Sequence, residues 1–492
     1  MSSGKIPEQR FPAPVYAETV LGPNFEDAKT HFLDGLLDIH YAHTRMLARQ
    51  GILTEGEAAV LLDALNGLDR EEIARARYDG SCEDLFFFVE NLLCRACGEL
   101  AGKMHTARSR NDIAITLYRM AVRRELLTFA TALAEVRAVL LDLAARHLET
   151  VMPAHTHTQP AQPTTLAHYL LAGAEVLGRD AARIQDAFAR VNLSPLGACA
   201  ITTTAFPIDR DMTARLLGFE GLAENSYSAI AAIDYLTESA ATVAVAMANV
   251  GKMVQDLLLW STREFGFLRL SDAFVQSSSI MPQKRNPVAL EHTRILASRA
   301  LSEAQAVFTC VHNTPFGDIN DSEDDLQPLV FTMFADAGRS LRLLAGLLRT
   351  ADVDRARLAQ RAAADFLTVT ELADTLVRQK GMSFREAHAM VARAVEASGA
   401  DDRASAIAGV LLRQNPELGL SRVDIVEALD PENFVRVRRV VGGPAPEIAG
   451  EALGRALALQ VKIAEWIRSR EEMLDQASQE NRGVGPRPAD AG

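Results

Sequence analysis

Apolar residues recur along most of the chain at three- and four-residue spacing, and the longest unbroken stretches set the architecture. Between about Ile113 and His147, Leu133, Val136, Leu140 and Leu143 fall on one helical stripe. Leu166, Leu170, Leu177, Ile184, Phe188 and Val191 keep a similar stripe over a second stretch. A third apolar helix is predicted over about Asp234 to Phe265, and a fourth over about Leu290 to Cys310. Such helices far exceed the usual mean of about 11 residues. Alternating runs of strand length are almost absent, so the spacing predicts an all-α protein built on four or five rods. No heptad with charged flanks is sustained, which argues against a coiled coil. Rods that are apolar on more than one side need partner helices from other chains as well.

The long periodic stretches are interrupted near residues 104 and 360. This divides the chain into an N-terminal helical domain (1–104), a central long-helix domain (105–360) and a small C-terminal helical domain (361–492). In the last, Ser383-Phe384-Arg385-Glu386 has the form of a capping box. Gly442-Gly443-Pro444 marks a turn before a final helix, and the polar tail from Gln479 to Gly492 is expected to be disordered.

Composition narrows the function. The 492 residues are 48% hydrophobic, enough for a large core and too many for a disordered chain. A net charge of -13 is unsuited to nucleic acid or an anionic membrane. The most apolar stretch, Ala240 to Val250, soon meets Lys252 and falls short of the about 20 residues a membrane span needs. Residues Met1 to Lys5 open no signal-peptide core, so a cytoplasmic location is expected. The five cysteines are too scattered for a disulfide framework. Cys94 and Cys97 form a CxxC on a helix face with no second ligand pair, which argues against metal or redox chemistry.

Three polar loops at rod ends could carry chemistry. His105-Thr106-Ala107-Arg108-Ser109-Arg110-Asn111-Asp112 sets guanidinium groups and a helix start together, a good carboxylate receptor and equally a capped basic turn. Pro153-Ala154-His155-Thr156-His157-Thr158 holds an HxH pair. A metal barrel would place that pair at a strand end with further ligands, whereas here it joins two long helices, so an acid/base histidine is expected. Ser277-Ser278-Ser279-Ile280-Met281-Pro282-Gln283-Lys284-Arg285-Asn286-Pro287, followed by Glu291, is a loop of small hydroxyl residues with cations suited to an anion.

This last segment closely resembles the signature loop of the fumarase/aspartase superfamily. The His105–Asp112 loop and Thr156-His157 resemble the other two motif regions, the first in its argininosuccinate lyase form. Phe366-Leu367-Thr368-Val369-Thr370-Glu371 and Phe384-Arg385-Glu386-Ala387-His388 resemble the C-terminal domain of argininosuccinate lyases. The resemblance runs from about His31 to Glu451. It implies a three-domain fumarase/aspartase-type fold whose central helices pair with three other copies into a twenty-helix core, a homotetramer with active sites shared among three subunits. No metal and no organic cofactor is expected.

The implied reaction is an anti elimination that splits a C–N bond of an N-substituted succinate and releases fumarate. The nearest named case takes argininosuccinate to arginine. Ser278 takes the base role by resemblance and His157, paired with Glu291, the acid role, although residues alone leave the two roles interchangeable. Lys284 and Asn286 would hold the charge that develops on the carboxylate. Ser109, Arg110, Asn111 and Thr156 would grip the succinyl carboxylates. An inactive structural homologue of the lens-crystallin kind would be expected to lose one of these residues, and none is lost.

The departures from the family pattern cluster elsewhere: His40, Phe86 after Asp84-Leu85, Ala232-Ile233, Val288, Asp318, Glu323 and Leu326. They fall in segments that frame the leaving amine, and Asp318 and Glu323 add carboxylates there. The alternative expectation is therefore a paralogous lyase for another N-substituted succinate, with a more acidic amine pocket.

Overall fold

A computed structural model describes residues 11–399 and 402–483. Helix α1 (Leu33–Arg49) and helix α2 (Leu85–Cys97) belong to the N-terminal part. The body is a ring of five rods: α3 (Arg110–Arg146), α4 (Leu166–Val191), α5 (Asp234–Trp260), α6 (Val288–Val311) and α7 (Gln327–Thr350). Around the ring α3 packs on α4, α4 on α5, α5 on α6, α6 on α7, and α7 back on α3. The largest apolar cluster fills its interior, with Leu177, Val250, Ala300 and Leu341 fully buried. Helix α5 stops at Trp260, short of the expected Phe265. There Phe267 N donates to Trp260 O at 3.0 Å, and Gly266, at φ +64°, reverses the chain.

A sixth rod, α8 (Pro446–Arg482), returns along α3 and α4. Arg137, inside the body, donates to Ala174 O at 3.0 Å and to Gln460 and Ala456 of α8 at 2.8 and 3.0 Å, so one guanidinium ties three helices. Gln479 to Arg482, expected in a disordered tail, form the last turn of α8, held by Asn481 and Arg482 on α1. Residues 484–492 of that tail and the N-terminal segment read for a signal lie outside the described residues. Two further apolar clusters stand apart, one around α1 and α2 and one among short helices between Val369 and Ala428. The Ser383/Glu386 capping box forms as expected.

The link between α3 and α4 is not a plain loop. β1 (Val151–Thr156) and β2 (Gln159–Thr165) pair antiparallel from Val151↔Thr165 to Thr156↔Gln159. Pro153, Pro160 and Pro163 hide the hairpin, because they break the alternation that would announce it. α5 is long and apolar enough to cross a membrane by length and composition, yet it is packed between α4, α6 and α7. Outward-facing apolar side chains remain: Val245 and Leu259 on α5, Ile295 and Phe308 on α6, each 38–53% exposed.

Candidate active site

The polar loops sit at two ends of the ring. At one, Arg119 of α3 donates to Arg190 O at 3.0 Å and Tyr118 to Asp324 at 2.6 Å, placing the starts of α3 and α7 beside the end of α4. At the other, Arg355 donates to Arg146 O at 3.1 Å, Tyr169 packs tilted against Trp260 with ring centroids 4.6 Å apart, and Arg294 donates to Gln255 at 2.7 Å. The 37 residues of α3 separate these ends by roughly 55 Å at ~1.5 Å per residue.

The first end holds Ser109, Arg110, Asn111, Asp318 and Glu323. Ser109 caps α3, and its hydroxyl donates to Asn111 Oδ1 at 2.6 Å, turning the amide NH2 onto the Asp318 carboxylate. Arg110 is engaged by Asp84 at 2.9 Å and Glu83 at 3.1 Å, so its fork already carries carboxylates of this chain. Arg110, Asn111, Asp318 and Glu323 border a cavity of about 280 Å³, walled by Phe25, Phe32 and Tyr118. Among the described residues, six carboxylates line it (Glu83, Asp84, Asp318, Glu323, Asp324 and Asp325) against the single cation Arg110. Burial, with the hydrogen bond and charge of Asp318, pushes Glu323 up to about 8, so Glu323 favours its protonated form at neutral pH.

Of the departures, Phe86, Asp318 and Glu323 line this cavity, whereas His40 and Leu326 are buried behind it. His40 accepts from Arg108 at 2.9 Å and packs edge-on against Phe86, so it supports the wall and does not face a ligand. Burial and the neighbouring Arg108 hold its pKa well below the ordinary histidine value.

The second end holds Thr156, His157, Ser278, Lys284, Asn286 and Glu291. His157 and Thr158 form the hairpin turn at φ +50° and +62°, a left-handed pair that only glycine or asparagine adopts cheaply. The turn thrusts His157 into solvent, while His155 lies against Phe265. The HxH side chains therefore diverge, and no trio of His, Cys, Asp or Glu suited to a metal occurs among the described residues. Ser278 Oγ accepts from Met281 N at 3.0 Å in an exposed turn. Gln276-Ser277 pairs with Arg285-Asn286 beneath it. Arg285 serves as the loop's anchor, ion-paired to Asp272 and donating to Leu270 O at 2.8 Å. Lys284 and Glu291 are exposed, and no ion pair or hydrogen bond joins His157 to Glu291 among the described residues.

One chain thus gathers the first loop with Asp318 and Glu323 at one end, and carries the hairpin and the signature loop at the other. Glu83, Asp324 and Tyr118 were missed as site residues. An acidic run such as Ser322-Glu323-Asp324-Asp325 beside a motif loop was the available signal.

Comparison with known proteins agrees with this architecture. A lyase family model matches residues 87–302, and an argininosuccinate lyase C-terminal model matches 366–436. Argininosuccinate lyase 2 of Agrobacterium fabrum is 44% identical over 455 residues, covering 90% of both chains. Argininosuccinate lyase of Methanoculleus marisnigri is 41% identical over 448 residues, again covering 90% of each. Among solved structures, an EDDS lyase variant with bound fumarate superposes with a TM-score of 0.85 at 33% identity, over 95% of this chain and 96% of that one. Within the fumarase/aspartase superfamily, the chain belongs to the argininosuccinate lyase family. It is a carbon–nitrogen lyase.

Proposed function

We propose that this lyase cleaves an N-substituted succinate to fumarate and an amine or guanidine, with argininosuccinate as the nearest named substrate. The observation that carries the reading is the intact signature loop from Ser277 to Pro287, presented on a small hairpin at the same end of the body as the His157 turn. Ser278 removes the proton alpha to a carboxylate. That proton is weakly acidic, so the charge developing on the carboxylate must be held by Lys284 and Asn286. A serine acts as base only beside cations, and Lys284 in the same loop supplies one. His157 gives a proton to the departing nitrogen, with Glu291 orienting it.

Because the two ends lie far apart in one chain, each complete site draws its loops from different copies, three subunits contributing to each. A homotetramer, a division near residues 104 and 360, and a cytoplasmic location belong to the same proposal. Fumarate release, followed by ultraviolet absorbance over a panel of N-substituted succinates, tests the reaction. Silence across the panel, argininosuccinate included, would reject it.

Replacing His157 with Asn separates acid from ligand. Turnover should fall by about 10²-fold or more, as for other lost general acids. Fumarate affinity, measured by product inhibition of the residual rate, should stay near wild type because Lys284 and Asn286 remain. Parallel loss of both would make His157 a ligand holder.

A second reading is favoured by the acidic cavity. Six carboxylates against one engaged arginine suit a leaving amine that carries an extra positive charge, and disfavour one presenting a carboxylate. Deprotonating Glu323 adds negative charge, so KM for a cationic leaving group should drop as pH rises through about 8. A succinate with an uncharged alkylamine should show no such trend. Equal pH dependence for both would remove Glu323 from amine recognition.

A further inference from the structure

Asp112 is wholly buried and does more than cap α3. Its Oδ1 accepts from Ser109 N at 2.8 Å, which closes the capping box. Its Oδ2 accepts from Gly197 N at 2.9 Å and Cys199 N at 3.1 Å, two amides of a distant turn. That turn is strained: Cys199, Ala200 and Thr203 all lie at φ between +48° and +72°. Such backbone persists only where its surroundings over-determine it. Gly197, at φ +91°, has no room for a Cβ, which would meet Arg210 Cγ at 2.7 Å. Arg210 holds the rear of the turn by donating to Leu196 O and Ala223 O, both at 2.9 Å. The front is held by Asp112, and by the Cys199 thiol donating to Ala107 O at 3.0 Å. Ala107 is itself left-handed, at φ +60°, within the first polar loop.

A helix cap needs only the first of these bonds. The Ser421/Asp424 box elsewhere in the chain has the same Ser-x-x-Asp form and, among the described residues, no second loop attached. The additional bonds connect the strained turn, through Asp112 and Ser109, to the Asn111 amide that faces the cavity.

We propose that Asp112 is a positioning residue: its carboxylate staples the Ser109–Asn111 loop to the strained Gly197–Cys199 turn, and so aims the Asn111 amide donors at the substrate. The proposal rests on the fumarate-releasing reading for its kinetics, and on the geometry alone for the staple. In Asp112→Asn at least one of the three amides faces an NH2 group, the staple opens and the Asn111 amide loses its bearing.

The test sets Asp112→Asn beside Asp424→Asn, a matched loss of a cap far from the cavity. In the full-length protein, kcat/KM for fumarate release should fall by about 10-fold or more in the first, since small misplacements in a site are costly. In the second it should stay within about twofold. Independently of activity, labelling of Cys199 by a thiol reagent, located by peptide mass mapping, should rise severalfold in Asp112→Asn alone. Burial and the Asp112 charge push that thiol up to about 12 in the native protein, which leaves it unreactive. Gly197→Ala, which moves the turn off Asp112 without touching the cap, should reproduce both effects if Asp112→Asn fails to fold. A folded Asp112→Asn with native kcat/KM, or with native Cys199 labelling, would overturn the proposal. If the wild type released fumarate from nothing, the functional reading would fall while the labelling result still decided the staple.

Discussion

Ser278→Ala should abolish fumarate release while leaving the protein folded. Among the described residues, the only hydrogen bonds its hydroxyl makes are those accepted from Ile280 N at 3.3 Å and Met281 N at 3.0 Å, inside a solvent-facing turn. Losing them changes little in the core, so far-ultraviolet circular dichroism and sedimentation should match wild type. The reaction loses the group that removes the alpha proton, and single acid/base deletions cost about 10²–10⁴-fold. Lys284 and Asn286 remain to bind carboxylates, so inhibition by fumarate should persist in any residual rate. Turnover within a few-fold of wild type would move the base elsewhere.

The second large effect concerns assembly. A monomer should be inactive, because Asn111 and Ser278 of one chain lie at opposite ends of a body roughly 55 Å long. Ile295 and Phe308, 53% and 42% exposed on α6, are suited to cover by a second copy. Changing both to Glu places unpaired charges where helices must meet, a burial costing several kcal/mol per ion. The expected outcome is loss of the species near four times 53.5 kDa in sedimentation, with activity lost alongside it. The stronger check mixes two dead proteins. Asn111→Ala and Ser278→Ala, unfolded and refolded together, should regain activity, since some sites then draw intact halves from different chains. Activity in a stable monomer, or no recovery in the mixture, would contradict shared sites.

Much of the architecture was legible because the rods are long. Leu133, Leu140, Leu177 and Ile184 mark their stripes over many turns, and the α3 and α4 bounds fall within three residues of those expected. The hairpin between them was not, since Pro153, Pro160 and Pro163 carry neither helical nor alternating period. The motif loops were legible as a set, because Ser278, Lys284 and Asn286 stand close in sequence and chemically coherent. Their surroundings were not. Arg110 read as a free carboxylate receptor, and only the fold shows Glu83 and Asp84 upon it. His40 read as a pocket residue, and burial sets it behind Phe86 instead. Asp112 read as a cap because its other partners, Gly197 and Cys199, arrive from more than 80 positions away. Local chemistry is written locally, whereas pairings across the fold depend on packing that no short segment encodes.

The clasp between α8 and α1 bears on how the molecule is made. Arg482 Nε donates to Asp38 at 2.7 Å, Asn481 to Asp38 O at 2.8 Å, and Arg45 to Asn481 O at 2.7 Å, across 444 positions of chain. At ~5–20 residues per second of synthesis, Asp38 leaves the ribosome roughly 20–90 seconds before Arg482 arrives. During that interval α3 and α4 can pair with each other, but the flank that Leu453, Ile463, Ile467 and Leu474 will cover stays open. The nascent chain therefore passes through a long-lived state with an oily groove and no lid, the kind of surface that chaperones hold. Closure waits for α8 to be released, so the step that completes the body of the protein comes 444 residues of synthesis after Asp38.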